Sequence, residues 1–234
     1  ESRGYKIVAI KTDSIKIADA TPEIIKFVMD YGRLYGYTFE HEATYDRMCL
    51  VNNAVYIAKF ATVEKCMALY GYAPGENIED GGEWTATGTQ FQVPYAFKTL
   101  FSKEEITFDD VCETKTVTKG DICLDCNEGM GDNHNYVFVG RVGQFCPVIP
   151  GNGSGELICH NGDKYSAVTG TTGYSWMESE VVRQLHLEDT IDKSYYNKLV
   201  DDALAAINEY CDAEWFCSDA EYDHEFGIPG QVPF

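Results

Sequence analysis

The residues best placed to do chemistry are Thr12, Asp13 and Ser14, which follow Lys11. Ile7, Val8 and Ile10 before them and Ile15 and Ile17 after them favour strands, whereas Thr, Asp and Ser favour turns. The expected product is a tight hairpin with one carboxylate at its apex. An ionised Asp raised on a rigid turn is a hard oxygen ligand of the kind Mg²⁺ takes. Glu40 and Glu42 are a second source of carboxylates. With Asp13 they form the ligand set of a metal-dependent hydrolase if all three converge on one ion. The nine cysteines are irregularly spaced, with Cys123 and Cys126 as the close pair. A zinc site there needs two more ligands from Cys112, His134, Cys146 and Cys159. No second motif supplies them at the usual spacing, so reduced thiols are expected.

These residues need elements to hold them. Thr21-Pro22-Glu23 is a helix start, with Thr as cap, Pro in the first turn and Glu at the positive dipole end. Ile24, Phe27, Val28, Tyr31 and Tyr35 then recur at helical spacing up to Gly36. Residues 37–42 alternate, with Tyr37, Phe39 and His41 on one side and Glu40 and Glu42 on the other, which predicts a half-buried strand. Residues 48–51 and 54–59 read as apolar strands joined by Asn52-Asn53, whose tolerance of positive φ suits a primed turn. Residues 71–88, rich in Gly, Pro and acids, read as a loop. A short helix is expected over 96–101, with Gln90 and Lys98 able to meet phosphates. Past residue 120 the glycines fit no phosphate-loop pattern. Strands are expected there at 136–139, 144–148, 156–159 and 165–168, with Arg141 and Lys164 the scarce cations. One helix is expected from Trp176 to about His186. A second starts at Asp192 or Ser194, striped by Tyr196, Leu199, Val200, Ala203, Leu204, Ile207 and Cys211. The stretch after Trp215-Phe216 is polar and acidic and reads as loosely ordered.

In this order of hairpin, helix and strand pair, the chain resembles the C-terminal part of a family B DNA polymerase of the bacteriophage type. The family's palm hairpin reads Tyr-Gly-Asp-Thr-Asp-Ser. Thr12-Asp13-Ser14 match it, which puts Asp13 on the second, metal-binding Asp and Lys11 where the first Asp usually stands. The family's Lys-x-Tyr element, which touches the primer strand, is matched by Tyr56, with Ala54 in place of Lys. The likeness is strongest over 5–102, including the run from Gly88 to Phe101. It continues less specifically through 139–143 and 170–174 to the helix before Trp215.

The resemblance implies an α+β fold, with an antiparallel palm-like sheet and packed helices over 1–70. A palm–thumb connection follows over 71–120, then a mixed β/α thumb-like region over 121–234. It implies a DNA-directed DNA polymerase, a nucleotidyltransferase of DNA replication that uses two Mg²⁺ ions. Asp13 is then the catalytic metal ligand, supported by Lys11, Thr12 and Ser14. Tyr56 would offer its hydroxyl to the primer backbone, the other reading being a strand aromatic packed inward. Asn53 or Lys59 would stand in for the absent Lys, and Lys98 would touch DNA. The implied partners are primer–template DNA and a dNTP. The family's earlier palm motif Asp-x-x-Ser-Leu-Tyr-Pro, its fingers and its exonuclease carboxylates are not in this sequence. The chain is therefore expected to be inactive alone and completed by an N-terminal portion carrying them.

The net charge of −20 opposes nucleic-acid binding in general, since phosphate contacts need Lys and Arg. It is unevenly spread: residues 1–120 hold 13 Lys/Arg against 18 Asp/Glu, and residues 121–234 hold 5 against 20. DNA is accordingly expected along the first half. No apolar run has the length of a bilayer and no signal-peptide pattern opens the chain, so no membrane partner is expected. The expected location is the cytoplasm, that of a host cell if the protein is viral. The start without Met, almost directly in a strand, is expected of a piece of a longer polypeptide. A third class, a non-catalytic acidic binding module, would make the Asp13 hairpin purely structural, with no groove beside it.

Overall fold

A computed structural model describes residues 4–127 and 133–218. The fold is mixed α+β, and every strand pair in it is antiparallel. The described residues form two compact units, one from residues 4–92 and 203–218 and the other from residues 93–127 and 133–202.

The first unit opens with β1 (Ile7–Lys11) and β2 (Ser14–Ile17), a two-stranded sheet of its own with Ile10 opposite Ile15 and Lys11 opposite Ser14. Helix α1 (Pro22–Leu34) starts as its sequence dictates: Thr21 Oγ1 accepts from the Ile24 N–H, and Pro22 and Glu23 occupy the first turn. The rings of Tyr5, Phe27, Tyr31 and Tyr35 meet in succession along it. A three-stranded sheet follows, β3 (Tyr45–Asn52), β4 (Val55–Phe60) and β5 (Trp84–Ala86), in the order β3-β4-β5. Between β4 and β5 run α2 (Val63–Tyr70) and α3 (Gly75–Asp80), so the stretch read as a loop over 71–88 carries a helix and a strand. A short α4 (Thr89–Gln92) ends this part of the chain.

Two local expectations are corrected here. Residues 37–42 form no strand. Tyr37 is exposed; Phe39 and His41 are half-buried while Glu40 and Glu42 are exposed, so the alternation holds only over 39–42, and no neighbouring strand pairs with it. The turn between β3 and β4 lies at Asn53-Ala54, and neither residue has positive φ. Instead Asn52 Oδ1 accepts from the N–H groups of Ala54 and Val55, an Asx turn.

The second unit starts with α5 (Pro94–Phe97), which widens directly into a π-helical turn over Lys98–Ser102. After a 3₁₀ turn (Phe108–Val111) come β6 (Glu113–Thr116), β7 (Asp121–Asp125), β8 (Tyr136–Gly140), β9 (Val142–Val148), β10 (Glu156–Asn161), β11 (Lys164–Ala167) and β12 (Ser175–Glu178). They form a four-stranded sheet, β11-β10-β7-β8, and a three-stranded one, β12-β9-β6. The core includes Ile122, Leu124, Phe145, Leu157, Trp176 and Tyr196. Trp176 and Met177 lie on a strand rather than opening a helix, because they pair with Pro147 and Cys146; helix α6 (Ser179–Gln184) begins after them. Helix α7 (Lys193–Asn208) starts beside Asp192, whose Oδ1 accepts from the Ser194 N–H. From Ala203 the chain belongs to the first unit again, and there a last short helix, α8 (Ala213–Phe216), is capped by Asp212. The polar tail beyond Ser218 lies outside the described residues.

Candidate functional site

Thr12 and Asp13 form the two-residue turn of the β1–β2 hairpin, and both are exposed. Cross-strand pairing of Ile10 with Ile15 fixes the register, and register decides that the acid stands at the apex. Among the described residues the Asp13 carboxylate has no hydrogen-bond or ion-pair partner. It lines an open groove of about 1600 Å³ in the first unit, together with Lys11 and Ser14.

The opposite wall comes from the β3–β4 sheet. Tyr45, Met48, Tyr56 and Phe60 all line the groove. They share one face, since Tyr45 pairs with Phe60, Met48 with Ala58, and Tyr56 lies two residues before Ala58 on the same strand. Tyr56 is half-buried, and its backbone is pinned by Thr87, whose Oγ1 accepts from Tyr56 N–H at 3.0 Å. Lys16, on β2, places its Nζ 5.0 Å from the Tyr45 ring centre and 5.1 Å from that of Tyr56. Burial pushes the Tyr45 phenol above its usual range, and the neighbouring Tyr56 and the Glu76 carboxylate push it further. Glu76 is itself raised, first by burial and then by Glu42, against the opposing pull of Lys16.

The connector over 37–44, which carries Glu40 and Glu42 to the groove, is seated at both ends. Phe39 packs so closely on Gly32 of α1 that a Cβ there would lie 2.5 Å from the ring. At the other end stands Asn77, fully buried on α3. Its Nδ2 donates to the carbonyls of Thr44 and Ala61 at 2.8 Å each, and its Oδ1 accepts from the Thr44 N–H at 2.7 Å. Nothing in the sequence pattern marks Asn77, because both partners are distant in sequence.

The other expected site residues fall elsewhere. Lys59 lies three residues from Tyr56, so strand alternation puts it on the opposite sheet face, over the Trp84 ring at 5.8 Å, and it does not line the groove. That face also bears Arg47, which donates to the carbonyls of Trp215, Phe216 and Ser218. Asn53 is exposed in the β3–β4 turn and does not line the groove. Lys98 belongs to the second unit, where its Nζ pairs with Asp110 at 3.0 Å and also donates to the Glu105 carbonyl. Its charge is committed to the 3₁₀ turn and is not open to a phosphate.

Asp13, Glu40 and Glu42 all line the groove, yet the described residues contain no group of three or more His, Cys, Asp or Glu placed to hold a metal ion. Among the described residues, then, these three carboxylates do not assemble the ligand set of a hydrolase. The same holds for zinc. Cys126 Sγ donates to Gly153 O, Cys159 Sγ to Lys119 O, and Cys112 lies 3.5 Å from Cys146, while His134 binds Asp125. Cys49, Cys66, Cys112, Cys123, Cys146, Cys159 and Cys211 are free thiols. Asp13 itself suits a divalent ion as one ligand of a shared set, being an exposed carboxylate with both oxygens unspent.

Comparison of the chain with family models, with curated proteins and with solved structures gives no match in any of the three.

Proposed function

We propose that the chain is the C-terminal palm and thumb portion of a phage-type family B DNA polymerase, contributing Asp13 as a metal ligand for nucleotidyl transfer. The observation that carries this reading is the unpartnered Asp13 carboxylate on a register-locked hairpin, facing a groove whose other wall presents Tyr56. An acidic module with a purely structural hairpin offers no reason for that groove.

In this reading Asp13 would hold Mg²⁺ jointly with a carboxylate from the N-terminal portion. The ion, when bound, supplies charge neutralisation for the reacting phosphates and primer hydroxyl. The chain's own residues position the strand. The Tyr56 hydroxyl donates to a primer phosphate, and the hairpin keeps Asp13 at a fixed height beside it. Primer–template DNA and a dNTP are the substrates, and the host-cell cytoplasm is the place of work. Among the described residues no helix is long and apolar enough to cross a membrane.

The test is complementation. Neither this chain nor a polypeptide carrying the fingers and the first palm Asp should extend a primer alone. The mixture of the two should extend it in Mg²⁺. Failure of the mixture, with both parts folded and associated, overturns the assignment.

A further inference from the structure

We propose that Lys16 binds a phosphate oxygen of the DNA strand lying beside Tyr56, supplying the cation that strand sequence alone leaves out of this groove. The inference rests on the polymerase reading and extends it to a residue that the hairpin motif does not include.

Three observations lead there. Lys11 and Lys16 are the two Lys or Arg side chains lining the groove, against eight carboxylates. Lys11 is exposed, whereas Lys16 is half-buried, with its ammonium held against the faces of Tyr45 and Tyr56. Among the described residues Lys16 Nζ has neither a hydrogen bond nor an ion pair.

An ammonium has three donors and no acceptor, and ring faces attract its charge without satisfying those donors. A phosphate oxygen arriving there meets a cation already placed, with its three donors free to turn to it. The two rings hold the stem and reduce the side-chain entropy lost when that oxygen arrives. The groove is partly open to solvent, so a backbone phosphate can reach Lys16 from outside. Tyr56, in contact with the same ammonium, offers a hydroxyl to the neighbouring phosphate.

The experiment measures binding of a fluorescent primer–template duplex, and separately of a labelled deoxynucleoside triphosphate, in Mg²⁺ over a range of salt. The proteins are the full chain, Lys16→Met, Lys16→Arg and, as a control on α1 outside the groove, Lys26→Ala. Circular dichroism checks that each variant is folded. Lys16→Met should bind the duplex roughly ten-fold more weakly, with a salt slope smaller by about 0.9, the loss of one phosphate contact. Lys16→Arg should recover most of the affinity, and Lys26→Ala should match the full chain. Unchanged duplex binding and slope for folded Lys16→Met overturn the proposal, as does a loss confined to the triphosphate. No duplex binding by the full chain at low salt overturns the polymerase reading beneath it.

Discussion

A carboxylate and an ammonium three residues apart on one hairpin serve different ends here. Asp13 stands free at the turn, whereas Lys16 is drawn inward onto Tyr45 and Tyr56. The first was legible in sequence, because a turn former between two β-rich runs is a local signal. The second was not, since the rings that hold Lys16 belong to strands nearly thirty and forty residues further on. Asn77 was illegible for the same reason. It satisfies three backbone groups of two other segments, and its removal should strand them in the interior. Asn77→Ala should destabilise the chain by about 2–4 kcal/mol, read from the chemical-denaturation midpoint at unchanged slope. A change under about 0.5 kcal/mol would show that the connector carrying Glu42 is not anchored there.

Capping chemistry made some elements readable and tertiary pairing overrode others. Thr21-Pro22-Glu23 placed the start of α1, and the apolar runs placed β3 and β4. Residues 37–42 carry a strand's alternation without a partner ladder, and Trp176 carries a helix-like context yet pairs with β9. Lys98 illustrates a third case, an apparent phosphate contact that completes a turn. The Thr107 N–H and Oγ1–H donate to Asp110, and Lys98 pairs with the same carboxylate. Burial pushes Asp110 upward, but the Thr107 backbone hydrogen bond, with Lys98 and the Thr107 hydroxyl, outweighs it and holds the acid below its ordinary value. A depressed acid contributes stability that is present above its unfolded pKa, about 3.9, and is lost as pH falls through the lower folded value. Asp110→Asn should therefore lower the thermal midpoint at pH 7. The gap to the unaltered protein should shrink once pH drops below about 4. A gap that stays constant down to pH 2 would show that ionisation of Asp110 contributes nothing.

The whole chain carries a net charge of −20, and the groove of the first unit is lined by eight carboxylates. A polyanion approaching such a surface is repelled unless a divalent ion is shared between protein and phosphate. Duplex binding should accordingly be strongest in Mg²⁺ at low ionic strength and should fall sharply on chelation with EDTA. Equal affinity with and without the ion would remove the metal from the account. The first unit recruits residues from 203 onward, far along the chain, which no local sequence pattern marks. The central claim is tested most directly by Asp13→Asn in the primer-extension mixture with the N-terminal portion. Extension should fall by roughly 10²-fold or more while the mixture still assembles. Extension at the unaltered rate would contradict the account.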